Sequence, residues 1–347
     1  MKHIFVVHSN ITYLSALGII IAERLDLSDC TLVSEGVFMR QEPVPTVAIP
    51  YFRGLKACGY NPLQYLSPSR AIDRRLSELT LSEPFTAYLA TMGRLARHTI
   101  SHPRCAEFHF MEEGLLSYVT SFSIDVLTLH DSARPWRTTS LAQRFKSCFL
   151  PFFRAYSPRL AALPLFYNAY PSPRRKFYGY TAQSHTLIDP SSRRQISLQQ
   201  VAERFTFHTT LQLANSVIWI GDCVEGTGHT VSEYLQALEC GFVEQVLLKG
   251  NINTVFVKFH YRESAYSRAE TLAIFARHGI SITVIDDSAI MEIELMATSS
   301  AHLYGTYSSL LVYAVFTGNR ASSIDRFYLP ELAERRTDCI FDFIERV

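Results

Sequence analysis

The chain has 347 residues, enough for two domains at roughly 100–200 residues each, every one with its own core. Hydrophobic residues make up 48% and charged residues 19%, with 15 Gly and 15 Pro scattered along the chain, which excludes a disordered, collagenous or low-complexity protein. Lys plus Arg number 33 against 32 Asp plus Glu, so the net charge gives no global attraction for nucleic acid and none is expected as a partner.

The seven cysteines, at 30, 58, 105, 148, 223, 240 and 339, are odd in number and form no CxxC or Cys/His cluster of zinc-site spacing, which reads as reduced, cytosolic thiols. The apolar run at the N-terminus is interrupted by His8, Ser9 and Asn10 before it reaches the length of a signal-peptide core. No later stretch reaches about 18 apolar residues. The expectation is a cytoplasmic chain with neither a secretion signal nor a membrane span.

In chain order, His3–Val7 reads as a strand, and Leu14, Leu17, Ile20, Ile21 and Leu25 recur at helical spacing. Thr31–Ser34 reads as a second strand, giving the strand–helix–strand opening of a parallel α/β sheet, whose ligands sit at the carboxyl ends of strands. Pro84–His98 reads as helical and Glu107–Met111 as a strand ending at Glu112-Glu113-Gly114. The second half alternates more clearly. Strands are expected at Val217–Ile220, Thr254–Phe259, Ile280–Ile285 and Leu303–Tyr304, and helices at Thr230–Leu238, Ser267–His278, Ala289–Ala297 and from Ser308 to Phe316. The expected architecture is α/β of GT-B type, with two Rossmann-like doubly wound domains, 1–205 and 206–347, facing a central cleft, although other two-domain α/β enzymes show similar periodicity.

Between the halves, residues 133–195 change character. Eleven basic residues, among them Arg134, Arg137, Arg154, Arg174 and Arg175, stand against the single acid Asp189, and aromatic residues such as Trp136, Phe149, Phe152, Tyr167 and Tyr178 are interleaved. Basic side chains near an anionic leaflet contribute about 1 kcal/mol each and aromatic rings favour the headgroup interface, which suits peripheral attachment to the inner face of the cytoplasmic membrane. The same mixture suits contact with an anionic glycan or RNA, or a linker with a solvated basic face.

Four features fall where an α/β protein gathers ligands. Glu112 and Glu113, followed by a turn-permitting glycine, can supply a general base. In Val255-Phe256-Val257-Lys258-Phe259-His260-Tyr261 an apolar strand delivers a cation and an imidazole able to donate to a departing phosphate. In Asp286-Asp287-Ser288-Ala289-Ile290-Met291-Glu292-Ile293-Glu294 the two glutamates, two apart on a helix, point to different sides, so one could clasp a ribose diol and not both. In Tyr304-Gly305-Thr306-Tyr307-Ser308-Ser309 a strand ends and two hydroxyls open a helix, an arrangement suited to phosphate. Each alone is more ordinarily a solvated acid pair, a structural histidine or an N-cap.

Taken in this order over roughly residues 105–315, the acid-acid-Gly motif, the strand-end histidine, the acid-bearing helix and the Ser-Ser pair resemble bacterial sialyltransferases of GT-B type, the lipooligosaccharide sialyltransferases and capsular polysialyltransferases. The resemblance implies that Glu112 is the general base with Glu113 its neighbour, and that His260, Ser308 and Ser309 receive the phosphate of a CMP donor. It also implies that Glu292, rather than Glu294, binds the ribose. Lys258 and Gly305 stand beside these groups as donor-side candidates. Tyr261 replaces the family's proline after the histidine. The literal His102-Pro103-Arg104 precedes the acid pair and is taken as a decoy.

What this implies is inverting transfer of sialic acid from CMP-sialic acid to a hydroxyl of a bacterial surface glycan, without cofactor or metal, the N-terminal domain holding the acceptor and the C-terminal domain the donor. Transfer of Kdo or another CMP-nonulosonate, use of a UDP- or GDP-sugar, and non-catalytic glycan or membrane binding stand as the alternatives.

Overall fold

The computed structural model describes residues 1–34, 43–49, 62–90, 94–118, 175–185, 188–222, 224, 230–306, 308–328 and 343–347. It divides into two compact units, Met1–Phe205 and Thr206–Val347.

Unit 1 is built on seven parallel strands: β1 (Lys2–Val7), β2 (Cys30–Ser34), β3 (Thr46–Ala48), β4 (Phe85–Leu89), β5 (Cys105–Met111), β6 (Phe177–Gly179) and β7 (Arg193–Gln195). Their order is β3-β2-β1-β4-β5-β6-β7, every pair parallel. The order runs outward in both directions from the β1/β4 pair, which makes that pair the topological switch point. Helices α1 (Asn10–Ala22), α2 (Pro62–Leu79), α3 (Arg94–Ser101) and α4 (Leu198–Arg204) connect the strands. One face of the sheet buries Ile4, Val6, Val33, Leu76, Phe85, Leu89 and Leu95 in a single cluster.

Unit 2 repeats the plan with β8 (Val217–Ile220), β9 (Thr254–Lys258), β10 (Ser281–Val284), β11 (His302–Gly305), β12 (Arg320–Ser323) and β13 (Glu345–Arg346), in the order β10-β9-β8-β11-β12-β13 and again all parallel. Here the switch point is the β8/β11 pair. Its helices are α5 (Val231–Ala237), continued in π-type turns through Leu248, α6 (Ala265–Arg277), α7 (Met291–Met296), α8 (Ser309–Phe316) and α9 (Asp325–Tyr328). Trp219, Phe242, Val257, Phe275 and Tyr304 lie in the core of this unit.

Most expected elements are present within a residue or two of their sequence positions. One is corrected: the stretch expected to be helical from Pro84 to His98 holds β4 over Phe85–Leu89, all five residues buried, and α3 begins only at Arg94. A strand covered on both faces buries its polar and apolar positions alike, Thr86 as fully as Phe85, Ala87 and Leu89, so its five residues give too little contrast to separate strand from helix. The described part of the basic aromatic stretch, residues 175–185 and 188–195, contains two short strands joined by turns. Residues 175–195 contain β6 and β7, Tyr178 is buried, Lys176 pairs with Glu23 at 2.6 Å, and Arg193 donates to the carbonyls of Ile188 and Ala182. Trp136, Phe149, Phe152 and Tyr167 lie outside the described residues.

Among the described residues no helix is long and apolar enough to cross a membrane, and no group of three or more His, Cys, Asp or Glu could hold a metal ion.

Candidate functional site

Both sheets present their candidate residues at the carboxyl edge. In unit 1, β5 ends at Met111 and the next two residues diverge. Glu112 is wholly buried; its Oε2 accepts from the Tyr180 N–H and the Ser184 hydroxyl, both at 2.8 Å, and its carbonyl accepts from the Ser15 hydroxyl at 3.2 Å. Ser184 Oγ also lies 3.0 Å from the Tyr118 hydroxyl, whose pKa burial and the Glu112 charge push upward. Gly179 makes the approach feasible, because a Cβ there would lie 2.1 Å from Ser184 Cβ and 3.1 Å from Glu112 Oε2. The acid expected to be the base is thus tied to the backbone after β6 in this structure.

Glu113 turns the other way. Its Oε1 lies 3.2 Å from His8 Nε2, and its N–H donates to Ser117 Oγ at 3.2 Å. Gly114 follows with φ 135°, a conformation that side chains disfavour. His8 stands directly after β1, where Ser9 caps α1 and Thr12 returns the capping interaction. The sequence signal for His8 was present: an apolar strand ending on a histidine, the pattern that singled out His260.

In unit 2, β8, β9 and β11 are neighbours, so their ends carry Asp222, His260 and Thr306 along one edge spanning two strand spacings, roughly 10 Å. The His260 Nδ1 accepts from the Arg262 N–H at 3.2 Å, which places the neutral ring's proton on Nε2. Burial holds the His260 pKa below the ordinary histidine range, the Asp222 charge opposing this and those of Arg262 and Arg268 adding to it. The His260 N–H donates to Glu263 Oε2 at 3.3 Å, and Arg268 donates to the His260 carbonyl at 2.9 Å while pairing with Asp287 at 3.0 Å. Tyr261 is exposed, its ring centroid 4.7 Å from that of His260.

Glu263 is buried, with Oε1 accepting from Ser267 at 2.8 Å, and burial pushes its pKa up to about 7. Gly221 admits it: a Cβ on Gly221 would stand 2.4 Å from Glu263 Oε2 and 3.2 Å from the His260 nitrogen. Across the switch point the Thr306 hydroxyl donates to Asp222 Oδ2 at 2.6 Å. Ser308 caps α8, accepting from the Leu310 N–H at 3.3 Å, and Ser309 is the first helical residue. Gly305 lets β11 close on β8; a Cβ there would meet the Ile220 carbonyl at 3.1 Å.

Lys258 donates to the Asp286 carbonyl at 2.6 Å, and burial lowers its pKa against the pull of Asp287, Asp286 and Glu292. The two glutamates of α7 separate. Glu294 is buried and accepts from the Thr210 and Leu211 N–H groups at 3.0 and 3.1 Å, a structural latch, whereas Glu292 is half-buried in the field of Lys258. His102 is buried at the opposite, amino edge of the unit 1 sheet, against Ser77 Oγ at 3.1 Å and the Asp73 carbonyl at 3.2 Å.

Asp222, Glu263 and Gly221, like His8, were passed over by motif reading. Asp222 carried the signal of an acid one residue past a strand end; Glu263 carried none short of the loop geometry.

No protein-family model matches the chain and no curated protein matches it. Solved structures do. MnaA from S. aureus, in a structure with UDP, is similar at 10% identity, covering 96% of this chain and 82% of that one with a TM-score of 0.50. A UDP-GlcNAc 2-epimerase from Methanocaldococcus jannaschii in complex with UDP-GlcNAc and UDP is similar at 10% identity, with 96% and 87% covered and a TM-score of 0.47. The GT-B domain of a sialyltransferase from Photobacterium damselae is similar at 13% identity, with 93% and 90% covered and a TM-score of 0.46. With two parallel sheets that both wind outward from a central switch point, the chain has the GT-B fold, two Rossmann-like α/β domains in succession.

Proposed function

We propose that this chain is an inverting glycosyltransferase that moves a sugar, sialic acid foremost, from a CMP donor to a hydroxyl of a bacterial surface glycan of lipooligosaccharide or capsule type. Unit 2 holds the donor and unit 1 activates the acceptor. The observation that supports this most directly is the edge of the unit 2 sheet. A neutral imidazole with its proton on Nε2 ends one strand, and a Ser308-capped helix N-terminus follows another, with the switch point between them. Such an edge offers hydrogen-bond donors to a phosphate without placing a full positive charge there.

In the reaction, the acceptor O–H bond breaks and its proton passes to the acceptor-activating centre around Glu112 and Glu113. The freed oxygen bonds to the anomeric carbon, while the bond from that carbon to the donor phosphate oxygen breaks and its electron pair leaves with CMP. His260, Ser308 and Ser309 meet the charge that accumulates on the phosphate. Glu292 binds the ribose, and Lys258, held by the Asp286 carbonyl, fixes the loop beside it. Hydrogen-bond donors do the neutralising that a divalent cation does elsewhere, so the reaction needs no metal. The basic aromatic segment 133–195 is the part of the chain proposed to meet an anionic membrane surface.

A CMP-linked Kdo, legionaminic or pseudaminic acid fits the same phosphate site. A UDP-sugar is the second reading, because the similar S. aureus MnaA structure contains UDP. Calorimetric titration with CMP and UDP separates them. CMP binding that weakens at least tenfold in H260A supports the CMP site, and UDP binding tighter than CMP with no response to H260A overturns it.

A further inference from the structure

Among the described residues, three groups at the carboxyl edge of the unit 1 sheet are able to take a proton, and they differ in access. Glu112 is wholly buried and engaged by Tyr180 and Ser184. Glu113 is 20% exposed at its side chain, but its Oε2 is buried and, among the described residues, makes no hydrogen bond. His8 is exposed at 37% of its side chain. Its Nε2 faces Glu113 Oε1 at 3.2 Å, and because a carboxylate only accepts, Nε2 carries the hydrogen and the lone pair sits on Nδ1. Among the described residues Nδ1 has no partner.

The backbone beneath the ring is held in place. The His8 and Ser9 N–H groups both donate to Thr12 Oγ1 at 3.0 Å, and the Thr12 hydroxyl donates to the Ser9 carbonyl at 2.9 Å. This fixes the imidazole at the end of β1, one of the two strands of the switch point. An exposed imidazole whose second nitrogen is oriented by a carboxylate is the arrangement that prepares a general base.

We propose that His8 is the base that deprotonates the acceptor hydroxyl, that Glu113 is its positioning carboxylate, and that Glu112 buttresses the loop carrying Glu113. This rests on the glycosyl-transfer reading above and names the residue that performs its first step. The hydroxyl proton moves to Nδ1 as the acceptor oxygen attacks, and the imidazolium that forms is stabilised by the Glu113 carboxylate.

The test pairs kinetics with a structural readout on the full chain. H8A is expected to lose roughly 10²–10⁴-fold in transfer kcat, with thermal melting and CMP affinity unchanged, and added imidazole is expected to restore part of the rate. Transfer by H8A within threefold of the parent overturns the assignment. Independently of turnover, long-range proton–nitrogen correlation spectra of the parent are expected to show His8 as the Nε2–H tautomer and E113Q to show a mixture; an Nδ1–H tautomer in the parent overturns it as well. A parent that releases no CMP from any CMP-sugar sinks the transfer reading alone, since the spectra still decide the His8–Glu113 pair.

Discussion

The Thr306 hydroxyl donates to Asp222 Oδ2 at 2.6 Å, joining the ends of β8 and β11 across the place where strand order reverses in unit 2. Doubly wound sheets leave a crevice at that place because the connections on either side depart to opposite faces. The pair sets Asp222 beside His260, where its charge raises the pKa that burial lowers. Replacing Asp222 by Asn keeps the hydrogen bond and removes the charge. The His260 pKa of D222N is therefore expected to fall further below that of the parent, followed by proton NMR titration; an unchanged or higher value contradicts the assignment.

Glu263 makes stability depend on pH. Its pKa is raised to about 7 in the folded chain from an ordinary 4.5, so between those values the folded state holds a proton that the unfolded state has released. Stability from this group is complete below about pH 4.5 and declines as pH rises through about 7, by about 3 kcal/mol. Urea unfolding of E263Q across pH 4.5 to 8 is expected to lack this component. An identical pH profile for parent and E263Q contradicts it.

Gly221 and Glu263 are coupled by space. A Cβ at 221 would press within 2.4 Å of Glu263 Oε2, so G221A is expected to lose about 1–3 kcal/mol of stability and to weaken CMP binding by displacing the His260 loop. Truncating the neighbour relieves the clash. G221A/E263A is expected to be less destabilised than the two single losses added together, as measured by urea midpoints; strict additivity would show that the two sites do not meet.

Much of the architecture was legible because the elements advertise themselves. Val217–Ile220 and the helix after Ser308 carry apolar runs closed by polar caps, and the order of strands and helices followed from them. β4 was not legible, since its five residues, Phe85–Leu89, are buried on both faces and Thr86 is buried as fully as its apolar neighbours. β6 and β7 hid in the basic stretch: β7 is Arg193-Arg194-Gln195 at the end of the sheet, where charge guards an edge rather than marking a loop. Within the site, Ser308 was readable as a hydroxyl opening a helix, and Glu292 and Glu294 as pointing to different sides of theirs. The burial of Glu112 was not, because it depends on Tyr180 and Ser184, about 70 residues downstream and without a pattern of their own.

The Glu112 anchor predicts a stability phenotype separate from chemistry. E112A strands the Tyr180 N–H and the Ser184 hydroxyl in a buried place, at a cost of about 2–5 kcal/mol. G179A, whose Cβ would collide with Ser184, is expected to be destabilised similarly. Urea midpoints within 0.5 M of the parent, on the order of 1 kcal/mol at ordinary denaturant slopes, would show that the buried network holds nothing together.

The proposed donor site at the carboxyl edge of the unit 2 sheet is expected to release CMP from a sugar donor. Incubation of the full chain with CMP-sialic acid and a panel of lipid-linked or lipooligosaccharide-type acceptors measures this directly. The prediction is stoichiometric CMP release with a matching mass gain on one acceptor, both lost in H260A. Turnover of a UDP-sugar with no release of CMP from any CMP-sugar would contradict it.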